Sequence, residues 1–250
     1  MERDAFDLLA RAERDHWWFQ GRRTFVAAAI RRAGLSPSAT VLDAGCGSGG
    51  NLALLAGLVP QGRLYGFEYD AEARRAATAL GIGTIAAGAL PDGVPFPETA
   101  FDLIGLFDVL EHLADPVASL RALGERLSPG GALVLTVPAL PWLWGPHDVV
   151  HQHHRRYTAA SLTQHVAHAG LQIEYLSYLN LLLLPLAILQ RLRERVLGYH
   201  ADALTPAPWL NRLLRRLWEL ERRWVPSHRL PLGLSLLAIV RRAPAHGASA

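Results

Sequence analysis

The sequence predicts a single α/β domain: a mostly parallel sheet with helices on both faces. Two observations carry this. From residue 40 to residue 137, short apolar runs bounded by turn residues alternate with helical patterns at the spacing of strand–helix–strand units. The first of these runs, Thr40-Val41-Leu42-Asp43, ends in a glycine loop that opens a helix, the place where open sheets of this kind bind ligands.

Composition sets the bounds. A chain of 250 residues suits one large domain. Half its residues are hydrophobic and 19% are charged, enough apolar material for a core and unlike a disordered chain. The single cysteine, Cys46, excludes an intrachain disulfide and a cysteine-built zinc site, and it fits a reducing compartment. All 25 basic Lys-or-Arg positions are arginine, for a net charge of +3. Compositional drift is the plain explanation; anionic ligands or a membrane surface are the functional one, because guanidinium pairs with phosphate in two places at once. The first twelve residues carry acidic groups and no long apolar run, unlike a signal peptide. The expected location is the cytoplasm, with the inner face of a membrane as a second site.

Taken in order, residues 3–32 read as helix interrupted at Gly21, with an aromatic knot at His16-Trp17-Trp18-Phe19. A strand at 40–43, the loop 45–50 and a helix at 51–59 follow. Next come a strand at 63–68, a helix at 71–80, a weak strand at 83–87 and a turn-rich piece at 91–99. An apolar strand at 101–107 leads to a helix at 116–127, a turn at Ser128-Pro129-Gly130-Gly131 and a strand at 132–137. Beyond Pro138 a loop rich in Pro, Trp and His runs to Tyr157, followed by a helix at 161–169 and a strand at 171–175. Residues 176–192 are strongly apolar, 191–224 alternate arginine with Leu and Trp at helical spacing, and 234–240 close as a strand. One domain over 1–250 is expected. Its parts are N-terminal lid helices at 1–32, a cofactor-binding core at 33–175, a helical insertion at 176–230 and a final strand at 231–242.

The chemistry concentrates in Val41-Leu42-Asp43-Ala44-Gly45-Cys46-Gly47-Ser48-Gly49-Gly50. A strand that empties into such a loop presents backbone N–H groups, and its glycines admit positive φ and close ligand approach. Glu68 ends the next strand, 23 residues after Gly45, where an acid accepts hydrogen bonds from ribose hydroxyls. Gly45-x-Gly47-x-x-Gly50 also matches the dinucleotide fingerprint, a weak signal by itself. Three features count against that reading. Asp43 just before the loop suits an ammonium better than a pyrophosphate, Gly49 makes the compact Gly-x-Gly-x-Gly form, and little chain remains for a separate substrate domain.

With Gly66-Phe67-Glu68-Tyr69-Asp70, Phe101-Asp102-Leu103-Ile104, Asp108-Val109-Leu110-Glu111-His112 and Leu127-Ser128-Pro129-Gly130-Gly131-Ala132-Leu133, the chain resembles the class I S-adenosylmethionine-dependent methyltransferases over about residues 39–137. The resemblance implies a Rossmann-like sheet of seven strands with a final antiparallel strand at 234–240, and S-adenosylmethionine as cofactor. It implies that Asp43, Gly45, Cys46, Gly47 and Gly49 surround the methionine moiety, that Glu68 binds the ribose and that Tyr69 packs beside the adenine. Ala89 and Leu90 occupy the place where relatives put an acid near the adenine amine, so backbone contacts or Asp92 must substitute here. Phe107 and Asp108 would line the cleft near the methionine end.

His16 to Arg23 resembles the N-terminal segment of a small-molecule and lipid-type subgroup, in which it covers the cofactor cleft. That implies a lid in which Trp18 lies over the cofactor and Arg22 or Arg23 pairs with the methionine carboxylate. Against this stands an ordinary aromatic helix face packed on the domain. Trp144-Gly145-Pro146-His147-Asp148 and the stretch His151 to Tyr157 are similar to the same subgroup, and the candidate catalytic residues are His112, His147 and Tyr157. A cleft-lining role for His112 competes with a base. The histidines show no recognised zinc spacing, so no metal is expected.

Residues 176–192, broken by Asn180 and Pro185, are too short for a confident membrane span. Residues 211–224 read as an amphipathic basic helix suited to an anionic membrane surface, or equally as a helix covering the core. Peripheral membrane contact is therefore an expectation, and the oligomeric state is open. The expected activity is methyl transfer to a small-molecule acceptor, with a lipid-linked one among the candidates. No nucleic-acid partner is expected, since no Asn-Pro-Pro-Tyr type motif follows the fourth strand. The rivals are a nicotinamide-dependent oxidoreductase and a noncatalytic, membrane-associated cofactor-binding protein.

Overall fold

A computed structural model describes residues 16–197, 207–225 and 227–244. The elements are α1 (Trp17–Arg32), β1 (Thr40–Ala44), α2 (Leu52–Leu58), β2 (Arg63–Glu68), α3 (Ala71–Ala79), β3 (Thr84–Ala87), β4 (Phe101–Phe107) and α4 (Pro116–Glu125). They continue with β5 (Leu127–Pro138), α5 (Pro146–Val150), α6 (Ala159–His168), β6 (Leu171–Leu179), α7 (Leu184–Leu197), α8 (Pro208–Glu221) and β7 (Ser235–Arg242). The strands form one seven-stranded sheet in the order β3-β2-β1-β4-β5-β7-β6. Pairings are parallel from β3 through β5, and β7 runs antiparallel to both β5 and β6.

Alternation along β1 explains why its run is apolar throughout. Leu42 and Ala44 join the cluster on one face of the sheet, Val41 the cluster on the other, and all five residues are buried. Strands buried on both faces lose the period-two pattern and read as continuous apolar runs. The helices start where side chains can satisfy free N–H groups. Asp70 Oδ1 accepts from the Glu72 and Ala73 amides at 3.0 and 2.9 Å, and Asp115 Oδ1 accepts from the Ala118 amide at 2.9 Å ahead of Pro116.

The strand order reverses between β1 and β4, and open sheets of this kind bind ligands at the carboxyl edge beside such a reversal. Register places Asp43 of β1 between Gly66 of β2 and Gly105 of β4.

Several expectations change. The expected break at Gly21 is absent: α1 runs unbroken from Trp17 to Arg32. Gly21 is there because Trp218 of α8 lies against it; a Cβ on Gly21 would stand 2.2 Å from the indole Cε3. The expected lid at 1–32 is core over the second half of α1. Phe25, Val26, Ala29 and Ile30 of α1 are fully buried, so this half of the helix is core, and residues 1–15 of the expected lid lie outside the described residues. β5 begins at Leu127, through the expected turn, and β6 runs on to Leu179.

For the basic amphipathic helix, the core-covering alternative holds over its central face. Leu214 and Trp218 of α8 are buried against α1, with Trp218 stacked on Phe25 at 5.5 Å and tilted on Trp18 at 4.9 Å. The central apolar face therefore covers the core. Among the described residues, no helix is long and apolar enough to cross a membrane.

Gly21→Ala tests the α1–α8 contact by the sign of its effect. In an ordinary helix the change stabilises by about 1 kcal/mol. Here overpacking against Trp218 should lower stability by about 1–3 kcal/mol, read as a lower urea midpoint; a raised midpoint would show that the two helices do not meet this closely.

Candidate active site

The glycine loop after β1 turns by three left-handed glycines, Gly45 (φ 72°), Gly47 (φ 55°) and Gly49 (φ 93°), a backbone region that costs side-chain-bearing residues energy. Space forbids a side chain as well. A Cβ at Gly45 would lie 2.8 Å from Val109 Cγ2, and one at Gly49 2.6 Å from Leu80 Cδ1. The loop does not offer all its amides outward, as the sequence suggested. Gly45 and Cys46 both donate to the Phe67 carbonyl at 3.0 Å, Gly49 donates to the Cys46 carbonyl at 2.9 Å, and Gly47 donates to Glu68 Oε2 at 2.9 Å. Its use to a ligand is close approach. Cys46 is buried, its sulfur beside Gly66, where a Cβ would stand 3.2 Å away. Its thiol is therefore a packing group under the loop.

Glu68 closes the adjacent side. Its Oε1 accepts from the Asp70 amide at 2.9 Å while Oε2 holds Gly47, so one carboxylate ties the β2–α3 turn to the glycine loop. A carboxylate has about four acceptor sites, and two remain. Asp43 is buried at the end of β1, and Tyr69 is 81% exposed at the rim. Ala89 and Leu90 lie half-buried after β3, with Ala89 bridged to Gly93 through two backbone hydrogen bonds of 3.1 and 2.8 Å.

Phe107 is buried at the end of β4, and Asp108 follows with φ 54°. A left-handed aspartate needs support, and it has three contacts. Its amide donates to the Thr136 carbonyl at 3.0 Å, its Oδ1 accepts from Thr136 Oγ1 at 2.9 Å, and its Oδ2 forms an ion pair with Arg22. Arg22 and Asp108 were expected to touch a cofactor separately; the structure pairs them with each other. Arg23 reaches the Gly50 carbonyl at 3.2 Å, so both arginines do meet the cleft wall, but a protein carboxylate already occupies Arg22. Trp18 packs on Trp218 and Trp17.

Of the three candidate catalytic residues, Tyr157 lies in the core. It is 1% exposed, its hydroxyl donates to the Leu110 carbonyl at 3.3 Å, and burial pushes it up to about 12. This phenol packs in the core and ties the loop to the turn after β4. His112 and His147 instead join a group the sequence reading kept apart. Ring centroids are 4.7 Å apart for His112 and His153, and 4.2 Å for His147 and His151. Desolvation and the neighbouring His153 lower His112 to about 4; desolvation, His151 and Arg191 lower His147 to about 3. Both are neutral imidazoles at neutral pH.

Two buried acids organise this group, and the sequence reading gave neither a role. Asp148 is fully buried. Burial opposes its charge, but hydrogen bonds from His153 at 2.9 Å and Arg156 at 2.7 Å prevail and hold its carboxyl far below the usual range. Glu111, 1% exposed, moves the other way: burial and then the Asp108 charge push its carboxyl well up. Two signals were available, a His-Asp pair and a Glu-His pair each following a strand, but nothing in the sequence says that they meet.

Comparison with known proteins completes the picture. The profile of a family described as a methyltransferase domain matches residues 18–176. The chain belongs to that family. A probable S-adenosylmethionine-dependent methyltransferase of Mycolicibacterium smegmatis is 28% identical over 171 residues, 65% of this chain and 62% of that protein. Trans-aconitate 2-methyltransferase of an Azoarcus species is 33% identical over 117 residues, 44% of this chain and 43% of its own. The chain thus spans less than two thirds of the length of these curated relatives. Among solved structures, a chain from the complex of the Haloferax volcanii Trm112 methyltransferase activator with a methyltransferase aligns at TM-score 0.63 and 21% identity, covering 98% of both chains. The [4+2]-cyclase SpnF aligns at TM-score 0.59 and 17% identity, over 90% of this chain and 83% of its own. These structural likenesses establish the fold.

The Arg22–Asp108 pair gives a test that needs no ligand. Arg22→Met removes the cation from a carboxylate held in a left-handed turn and should destabilise the protein by about 1–3 kcal/mol. In a double-mutant cycle with Asp108→Asn, the two losses should not add; additive losses would mean that the pair contributes nothing.

Proposed function

We propose that this methyltransferase-family chain moves a methyl group from S-adenosylmethionine to a small-molecule acceptor. The observation that carries the reading is the Glu68 carboxylate, which bridges the glycine loop and the β2–α3 turn with two acceptor sites left. The residues fit the cofactor. Left-handed glycines at 45, 47 and 49 keep side chains off one wall, Asp43 supplies a buried carboxylate for an ammonium, and Glu68 suits a ribose diol. Phe107 and Asp108 bound the methionine end.

When bound, the cofactor supplies a methyl group already activated on a sulfonium. What remains for the chain is to align the acceptor and exclude water. His112 and His147, neutral at working pH, line the acceptor side, and His147 accepts a hydrogen bond from a hydroxyl or amine acceptor. Their low basicity leaves little driving force for full proton abstraction, so orientation is their part. Because the same fold also serves a cyclase, the reading rests on the site rather than the architecture.

A lipid-linked acceptor is the finer reading, and α7 supports it. Leu186, Leu189, Leu192 and Val196 are all exposed at the three- and four-residue spacing that places them on one helix face. The same helix carries Arg191 to within 4.0 Å of Asp148. Helix α7 thus passes beside the histidine loop. A leucine-to-serine triple variant at 186, 189 and 192 should co-float less with phosphatidylglycerol-containing vesicles at unchanged cofactor affinity. Absence of wild-type flotation would leave a soluble acceptor.

Calorimetry tests the cofactor. S-adenosylhomocysteine should bind and NADH should not, and Glu68→Ala should weaken the former by about 1–3 kcal/mol. Tight NADH binding, or unchanged affinity in a folded Glu68→Ala variant, would overturn the assignment. Labelled methyl transfer to an extract separates an enzyme from a noncatalytic binding protein.

A further inference from the structure

The 3₁₀ turn after β4 and the loop after β5 bring together donors that are remote in sequence. One ligand atom each from Glu111, His112 and His153 lies within 4.8 Å of the others. His153 Nδ1 lies 2.9 Å from Asp148 Oδ1, and an ionised carboxylate only accepts, so Nδ1 carries the proton and Nε2 keeps its lone pair. Asp148 is itself fixed by Arg156 Nε at 2.7 Å and the Gly145 amide at 2.9 Å. A carboxylate behind an imidazole in this way orients histidines that ligate metals. His112 is exposed, its ring centroid 4.7 Å from that of His153, and a neutral imidazole keeps one nitrogen lone pair for a cation.

Glu111 supplies the independent observation. It is 1% exposed, and its Oε2 has no hydrogen-bond partner among the described residues. A buried carboxylate oxygen without a partner is costly unless a cation or donor meets it. Packing alone accounts for histidines stacked on one another, but not for this oxygen converging on them.

We propose that Glu111, His112 and His153 form a site for one divalent transition-metal cation of the zinc class, held by two imidazole nitrogens and a carboxylate oxygen. Two nitrogens and one oxygen suit zinc or cobalt better than magnesium, and three protein ligands leave a position open for water or an acceptor oxygen. The absence of a zinc spacing in the sequence has a simple cause: the ligands come from two loops more than forty residues apart, joined by the β4–β5 pairing. His147 and His151 stand at the rim, with centroids 6.3 and 6.1 Å from His153.

The test needs neither cofactor nor acceptor, so it stands or falls apart from the methyl-transfer reading. Full-length protein, stripped with chelator and dialysed, is titrated with cobalt(II) and followed by visible absorption, then with zinc by calorimetry. About one equivalent should bind with ligand-field bands of a low-coordinate site. His153→Gln, His112→Gln and Glu111→Gln should each weaken binding about tenfold or more, with thermal melts showing that each variant is folded. His154→Gln, a neighbouring exposed histidine, should leave binding unchanged. Lack of saturable binding overturns the proposal. So does binding that survives in His112→Gln and His153→Gln but disappears when His147 and His151 are both replaced by Gln, which would identify a surface histidine pair.

Discussion

The seating of Trp218 against Gly21 is the contact on which the rest of the structure depends. It locks α8 to α1, and the aromatic residues Trp17, Trp18 and Phe25 close around the indole. Because α1 is fixed there, the next residue, Arg22, is delivered to Asp108 at the carboxyl end of β4. The helix that precedes the sheet and the helix before its last strand thus act as one support for the cleft wall. Overpacking is costly in a close-packed interior, so position 21 tolerates little besides glycine.

The cleft is built by two different economies of hydrogen bonding. On the side proposed for the cofactor, the glycine loop satisfies the amides of Gly45, Cys46, Gly47 and Gly49 internally, through Phe67, Cys46 and Glu68. It is therefore preorganised, and a ligand gains from close approach without paying to order the loop. On the opposite side, buried charge does the organising. Asp148 gathers His153, Arg156 and the Gly145 amide, and Arg191 of α7 approaches it. Removing such a carboxylate strands several donors at once, which makes the loop after β5 a cooperative unit.

These two sides fit a division of labour in the proposed reaction. One wall recognises a charged donor through carboxylates and bare backbone; the other presents neutral imidazoles beside an apolar helix stripe. Fold-level likeness says nothing of which acceptor enters, since architecture is shared by enzymes of different chemistry.

Much of this was written locally. The strands at 63–68 and 101–107 coincide with their observed bounds, because a buried apolar run between turn residues has one outcome in a parallel sheet. The glycine loop and Glu68 were legible for the same reason: positive φ and a strand-end acid are local requirements. Long-range packing decided what local signals could not. A glycine inside a helical pattern reads as a break until a tryptophan some two hundred residues away is seen to need the space. The arginine-and-tryptophan helix reads equally as membrane-facing or core-covering until Leu214 and Trp218 are found buried against α1. That Tyr157 is buried with its hydroxyl on the Leu110 carbonyl was not legible in the sequence either. The meeting of Glu111, His112 and His153 likewise follows from strand pairing, because no sequence spacing encodes the distance between two loops that a sheet brings side by side.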